Sequence, residues 1–142
     1  MTDFIIVTGP ITGKARPRFN TQTGTAYNPR TTKRYEALIE WCYKTQHGEY
    51  YHEFPVDVTI IVEHSVPKNT PIAQREAMLA GKIEPMKKPD IDNIAKIVLD
   101  ALNGVAYKDD KQVVELHCYK RYAVEPRLMV NVDRHMVKAE RV

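Results

Sequence analysis

The 142-residue sequence contains only two cysteines, Cys42 and Cys118. Two thiols cannot build a disulfide framework, which argues against a cysteine-stapled secreted scaffold. They read as reduced thiols, and an intracellular, cytoplasmic location is expected. No apolar run approaches the ~20 residues that span a bilayer, so no membrane partner is expected. Met1 to Pro10 has neither the basic start nor the long apolar stretch of a secretory signal. Internal repeats and low-complexity tracts are absent, as are GxSxG, Walker and GxGxxG motifs. The stretch Gly9–Lys14 has glycines and a lysine but lacks the spacing of a phosphate loop. The histidines (His47, His52, His64, His117 and His135) are scattered without metal-ligand spacing and read as surface or structural groups. What is present is ordinary for a globular chain, with 43% hydrophobic and 27% charged residues. That balance excludes a disordered tail or a collagen-like fibre, and the length favours one domain over residues 1–142.

The net charge is only +3, but its distribution is uneven. Ile11 to Arg34 holds six basic residues (Lys14, Arg16, Arg18, Arg30, Lys33, Arg34) and no acidic one. Lys87–Lys88 stands just before an acidic cluster. A local basic patch on a mixed chain is consistent with binding a polyanion, although such runs are commonly just solvated surface.

The element pattern predicts a small mixed α/β domain with about four strands and two or three helices. Phe4–Thr8 is a β-branched run stopped by Gly9–Pro10. Lys14 to Pro29 reads as a loop or loose hairpin. A helix capped by Thr31 or Thr32 is expected to run to about Gln46, with an apolar stripe of Tyr35, Leu38, Ile39 and Cys42, and to end at Gly48. Val56–Val62 alternates and then becomes continuously apolar, which marks a central strand. Thr70–Pro71 opens a short helix to about Ala80. Strands over Gln112–Tyr122 and Leu128–Asp133, joined by a turn at Glu125–Pro126, look like an antiparallel hairpin.

The chemistry concentrates in Lys87–Val114. Ile94, Ile97, Val98, Ala101 and Leu102 form one apolar helical stripe, while Asn93, Lys96, Asp100 and Asn103 share another face. Ala95 and Leu99 belong to neither stripe and suggest contact with a further element or a partner subunit. Asp92 stands where an N-cap belongs, and Asn103–Gly104 supplies the stop. An extended Asp90–Ile91–Asp92 points both carboxylates one way. Lys96 follows on the first turn, and Asp109–Asp110 opens the next strand. Taken singly, each has a plainer reading as a cap, a helix-surface pair or an acidic turn. Together they can make a cluster of carboxylates whose mutual repulsion is relieved by a shared proton or a cation. Oxygen-only ligands suit Mg²⁺ or Mn²⁺, and such ions serve phosphoryl chemistry.

The stretch Lys88-Pro89-Asp90-Ile91-Asp92-Asn93-Ile94, with Lys96, Leu99-Asp100-Ala101-Leu102, Asp109-Asp110 and Gln112-Val113, resembles the RusA family of Holliday junction resolvases. Gly9-Pro10 and Gly13-Lys14-Ala15-Arg16-Pro17-Arg18-Phe19 look like the N-terminal region of phage members. The resemblance implies a homodimeric α/β endonuclease that binds four-way DNA junctions and cuts two strands symmetrically with Mg²⁺ or Mn²⁺. It assigns metal-holding and catalytic roles to Asp90, Asp92 and Asp110, the catalytic amine to Lys96, and supporting roles to Asp109, Asp100 and Asn93. Candidate phosphate contacts are Lys14, Arg16, Arg18, Arg30, Lys87 and Lys88. Ser65–Met86 departs from short members as a helix-like insertion before the motif. Two alternatives remain at this point: a nuclease of the same chemistry acting on other branched or single-stranded DNA, and a non-catalytic DNA-binding recombination module.

Overall fold

The computed structural model of the chain describes residues 2–14, 18–27 and 29–137. The elements in order are β1 (Thr2–Thr8), β2 (Arg18–Asn20), β3 (Thr25–Tyr27), α1 (Arg30–His47), β4 (Val56–Ser65), α2 (Ile72–Leu79), α3 (Ile91–Leu102), a 3₁₀ turn (Asp110–Gln112), β5 (Val113–Ala123) and β6 (Arg127–Arg134). The expected mixed α/β architecture is borne out, with a four-stranded mixed sheet and three helices. β2 and β3 pair as a separate small hairpin inside the stretch read as a loop or loose hairpin.

The main sheet has the order β1-β6-β4-β5. β4 is central, as its apolar run predicts. It pairs parallel with β5 and antiparallel with β6. The parallel pair requires a long crossover, and α2 and α3 provide it. The expected β5–β6 hairpin is therefore wrong, because β4 lies between the two strands. The physical reason is burial. Val56, Val58, Ile60 and Val62 are all fully buried, and an edge position would expose part of β4. The short link from Ala123 to Arg127 can reach over one strand, since ~3.3 Å per residue covers two inter-strand spacings of ~4.8 Å.

The core lies between this sheet and helices α1 and α3. Ile5 and Val7 of β1, the four apolar residues of β4, and Leu128, Val130 and Val132 of β6 meet Tyr35, Ile39 and Tyr43 of α1 and the α3 stripe. α1 begins slightly earlier than its expected cap. Pro29 precedes its first residue and Thr32 is buried inside it, while Gly48 ends it as expected, with φ +79°. α2 follows Pro71 directly, and the Thr70 hydroxyl donates to the Pro67 carbonyl rather than capping the helix.

Two partly buried carboxylates tie the sheet to its surroundings. Asp3 accepts from the Tyr43 hydroxyl at 2.5 Å and lies 2.7 Å from His52 Nε2. Glu63 sits between Arg121 at 2.8 Å and Arg127 on the flanking strands. Burial pulls both carboxyls upward, but the hydrogen bonds from Tyr43 and His52, and from Arg127 and Arg121, outweigh it and hold both below their ordinary values of 3.8 and 4.5. A lowered folded value means that the stabilisation is complete above the unfolded value and is lost as pH falls through the folded one. The melting temperature is thus expected to hold from pH 7 to about pH 5 and then drop progressively below about pH 4.5. Asp3→Asn should flatten part of that slope in a circular-dichroism melting series. An unchanged slope would show that this carboxylate is not the source.

Candidate active site

The apolar stripe of α3 decides where its polar flank points. Ile94, Ile97, Val98, Ala101 and Leu102 are buried, and with this stripe against the sheet the positions 92, 96 and 100, one turn apart, fall along one flank. Asp92, Lys96 and Asp100 there line a hollow of about 550 Å³, and Asp110 closes it from the 3₁₀ turn. Its remaining walls are apolar and include Leu99, Leu116 and Cys118. β5 lies alongside the start of α3, as the Cys118 thiol reaches the Ile91 carbonyl at 4.0 Å. The Ala95–Leu99 flank thus meets a further element, β5, across the hollow.

The helix starts two residues earlier than expected. Asp90, not Asp92, is the N-cap residue, with extended φ −67° and ψ 154°, and its side chain makes no capping bond. Asp92 already belongs to the first turn. The extended Asp90–Ile91–Asp92 geometry is therefore corrected: the two carboxylates are not aligned by an extended segment. Asp90 instead lines a second hollow of about 300 Å³, together with Gly13, Lys14, Lys88, Pro89 and Asn93. The chain packs tightly here. A Cβ on Gly13 would lie 2.4 Å from Pro89 Cβ, so only glycine fits. The Lys14 amide donates to the Asn93 carbonyl at 3.0 Å, which ties the loop after β1 to the first turn of α3.

The neighbouring aspartates Asp109 and Asp110 have different tasks. Asp109 caps the 3₁₀ turn. Its carboxylate accepts from the Lys111 amide at 3.1 Å, and its own amide donates to Gln112 Oε1 at 2.9 Å. Gln112 Nε2 in turn donates to the His52 and Phe54 carbonyls. The turn is thereby locked to the segment before β4, and Asp110 is left to face the hollow. The Lys111 amide and Asp110 hold the Asp109 carboxyl below its usual range. Burial and the carboxylates of Asp109 and Asp100 push Asp110 upward, and Lys96 draws it partly back. Behind them the buried Tyr107 donates to the Leu99 carbonyl at 2.7 Å.

Lys14 is placed differently from the other basic candidates. Its ammonium is 2.5 Å from Glu36 Oε1 and 3.2 Å from Asp100 Oδ2, and its side chain is only 10% exposed. Burial alone would lower its pKa, but Glu36 and Asp100 raise it above the ordinary value. Lys96 Nζ is 3.7 Å from the same Asp100 oxygen. The charges thus alternate from α1 to the hollow: Glu36, Lys14, Asp100, Lys96. Arg18, Arg30, Lys87 and Lys88 are exposed. Arg16 lies outside the described residues.

The carboxylates facing the hollow offer oxygen donors, and the Cys118 thiol in its wall is turned to the Ile91 carbonyl. This set fits a hard ion such as Mg²⁺ or Mn²⁺, which keeps several of its waters and needs only one or two protein carboxylates. It is not a closed cage. Among the described residues, three ligand atoms approach within 4.8 Å of one another only at Asp57, Glu115 and His135, and none of these lines either hollow. There His135 Nδ1 already bonds Asp57 at 2.7 Å. Sequence spacing could not find that group, because its members come from β4, β5 and the residue after β6. Glu36 carries no mark in the sequence, since a single polar residue at a solvent-compatible position has no periodic signal.

Residues 8–133 match the family model described as endodeoxyribonuclease RusA. The chain is also similar to the uncharacterized protein YqaN of Bacillus subtilis (strain 168), at 32% identity over 130 residues, which cover 89% of this chain and 92% of that protein. No helix among the described residues is long and apolar enough to cross a membrane.

Proposed function

Because the chain belongs to the RusA endodeoxyribonuclease family, we propose that it is a Mg²⁺- or Mn²⁺-dependent endonuclease that resolves four-way DNA junctions by paired, symmetric strand cuts, in recombination and repair. The observation that carries this reading is the shared, solvent-open hollow of Asp92, Lys96, Asp100 and Asp110. Asp92 and Asp110 would hold the ion, with Asp90 from the hollow at the start of α3 as the further carboxylate of the motif. When bound, it would supply Lewis-acid polarisation of a phosphodiester.

The chain's own groups do the rest. Asp100 forms an ion pair with Lys96 at 3.7 Å and keeps the ammonium over the hollow, where it neutralises charge developing on the phosphate or holds the attacking water. Asp109 and Gln112 lock the turn that presents Asp110. In-line attack by water leaves a 5′-phosphate. Arg18, Arg30, Lys87 and Lys88 bind the DNA backbone through its phosphates. A purely binding role is disfavoured, because carboxylates aimed at phosphate would weaken binding without a cation. A homodimer matches the two-fold symmetry of the substrate and presents two equal sites to two equivalent strands.

The test is a gel assay on a synthetic four-way junction with Mg²⁺ or Mn²⁺, run beside flap, fork and single-stranded substrates. Paired symmetric cuts in the junction are expected. Preferential cutting of a flap or single strand would move the assignment to the same chemistry on another substrate, and tight binding with no cleavage under either metal would make the protein a binding module. Junction affinity should fall steeply with salt. Neutralising Arg18, Arg30, Lys87 and Lys88 together should reduce the log–log salt slope by ~0.9 for each phosphate that is no longer paired with a cationic side chain. An unchanged slope would place the DNA elsewhere.

A further inference from the structure

We propose that Lys120, on β5, is a positioning residue that sets where Asp90 stands, an inference that rests on the nuclease reading above. Its Nζ donates to the Lys87 carbonyl at 2.8 Å and to the Pro89 carbonyl at 3.3 Å. The second of these carbonyls belongs to the peptide unit whose nitrogen is that of Asp90. One ammonium therefore grips both ends of the Lys87–Pro89 segment immediately before the first carboxylate of the motif.

The grip matters because, among the described residues, no hydrogen bond or ion pair ties the Asp90 side chain. It caps α3 by position but makes no capping bond, so the backbone before it determines where its oxygens lie. That backbone is held from two sides. Gly13 packs against Pro89 on one, and Lys120 holds the carbonyls on the other. Among the described residues Lys120 makes no salt bridge, so its charge is directed at the two carbonyls. Among the described residues the buried His64 beside it has no partner for Nε2, and burial together with the Lys87 and Lys120 charges lowers the pKa of this imidazole. Charge-assisted bonds to carbonyls are stronger and shorter than neutral ones, which suits a group that must fix a loop to a fraction of an ångström.

Lys120→Met keeps the aliphatic stem and removes the donors, Lys120→Arg restores charged donors, and Lys120→Gln restores uncharged ones. Three readouts apply to each full-length variant. Hydrogen exchange over residues 86–92 should speed up in Lys120→Met while exchange in β4 and β6 stays unchanged. The affinity for Mn²⁺ alone, by calorimetry, should weaken by about 10–100-fold, the range seen when groups orienting a metal ligand are removed. On the junction, kcat should fall by a similar factor with KM nearly constant, and Lys120→Arg should recover most of it. Equal loss of exchange protection in β4 and β6 would make Lys120 a general fold-stabilising residue and overturn the proposal. So would a Lys120→Met protein with wild-type Mn²⁺ affinity and wild-type loop exchange. If the unsubstituted protein cuts no junction, the nuclease reading fails, while the exchange and Mn²⁺ measurements still decide whether Lys120 positions Asp90.

Discussion

Asp92→Asn is expected to lower the rate of junction cleavage by about 10²–10³-fold, the loss that follows removal of one preorganised electrostatic group at a reacting centre. Asp110→Asn should do the same. Both changes keep the shape of the side chain and remove one negative charge from the hollow, so junction binding should persist or tighten slightly. The neighbouring Asp109→Asn is the internal control. Asparagine still accepts from the Lys111 amide as a cap, so cleavage should stay within a few-fold of the unsubstituted rate and the melting temperature should change little. Single-turnover cleavage and a gel-shift titration read both quantities. Wild-type cleavage by Asp92→Asn, or equal losses from Asp109→Asn and Asp110→Asn, would break the assignment of the hollow. The first would remove its central carboxylate from the chemistry, and the second would show that the two neighbouring aspartates are not divided between capping and catalysis.

Lys14→Met should have the second-largest effect, and on a different observable. The ammonium lies between Glu36 and Asp100, whose side chains are only 23% and 29% exposed, so its loss leaves Glu36 without this counter-charge and Asp100 with the more distant Lys96 alone. A fully buried broken pair costs ~3–5 kcal/mol. Partial exposure reduces this to about 2 kcal/mol, or ~4–8 °C in melting temperature for a chain of this length. Cleavage should fall as well, since Asp100 loses one of its two cations and keeps only Lys96. The salt slope of junction binding should not change, because this lysine is not free to meet a phosphate. A normal melting temperature with a reduced salt slope would return Lys14 to the DNA-binding set in which its sequence context places it.

The contrast between Lys14 and its basic neighbours shows how far local sequence reaches. In the run from Ile11 to Arg34, Lys14 differs from Arg18 or Arg30 by no periodic or compositional mark. Its carboxylate partners stand on two helices, and Glu36 alone is 22 positions away. The sequence pattern puts the α3 cap two residues too late for a related reason. Asp90 and Asp92 are chemically identical caps, and which one ends the extended segment depends on how the preceding loop packs on Gly13 and Lys120. The turn at Glu125–Pro126 is legible as a reversal between β5 and β6, but a reversal does not say which strands pair.

Residue pattern alone determined the apolar stripe of α3, the charged flank it leaves outward, the apolar strand that had to be central, and the family resemblance, because helix and strand periods of 3.6 and 2 residues are local properties of the chain. Tertiary structure alone decided that β6 lies beside β4, that Asp110 lines the same hollow as Asp92 while Asp109 caps the 3₁₀ turn, and that Lys14 and Lys120 serve carboxylates and carbonyls of the protein itself. Those outcomes depend on which distant segments bury each other, a competition among long-range interactions that no periodicity in a single sequence records.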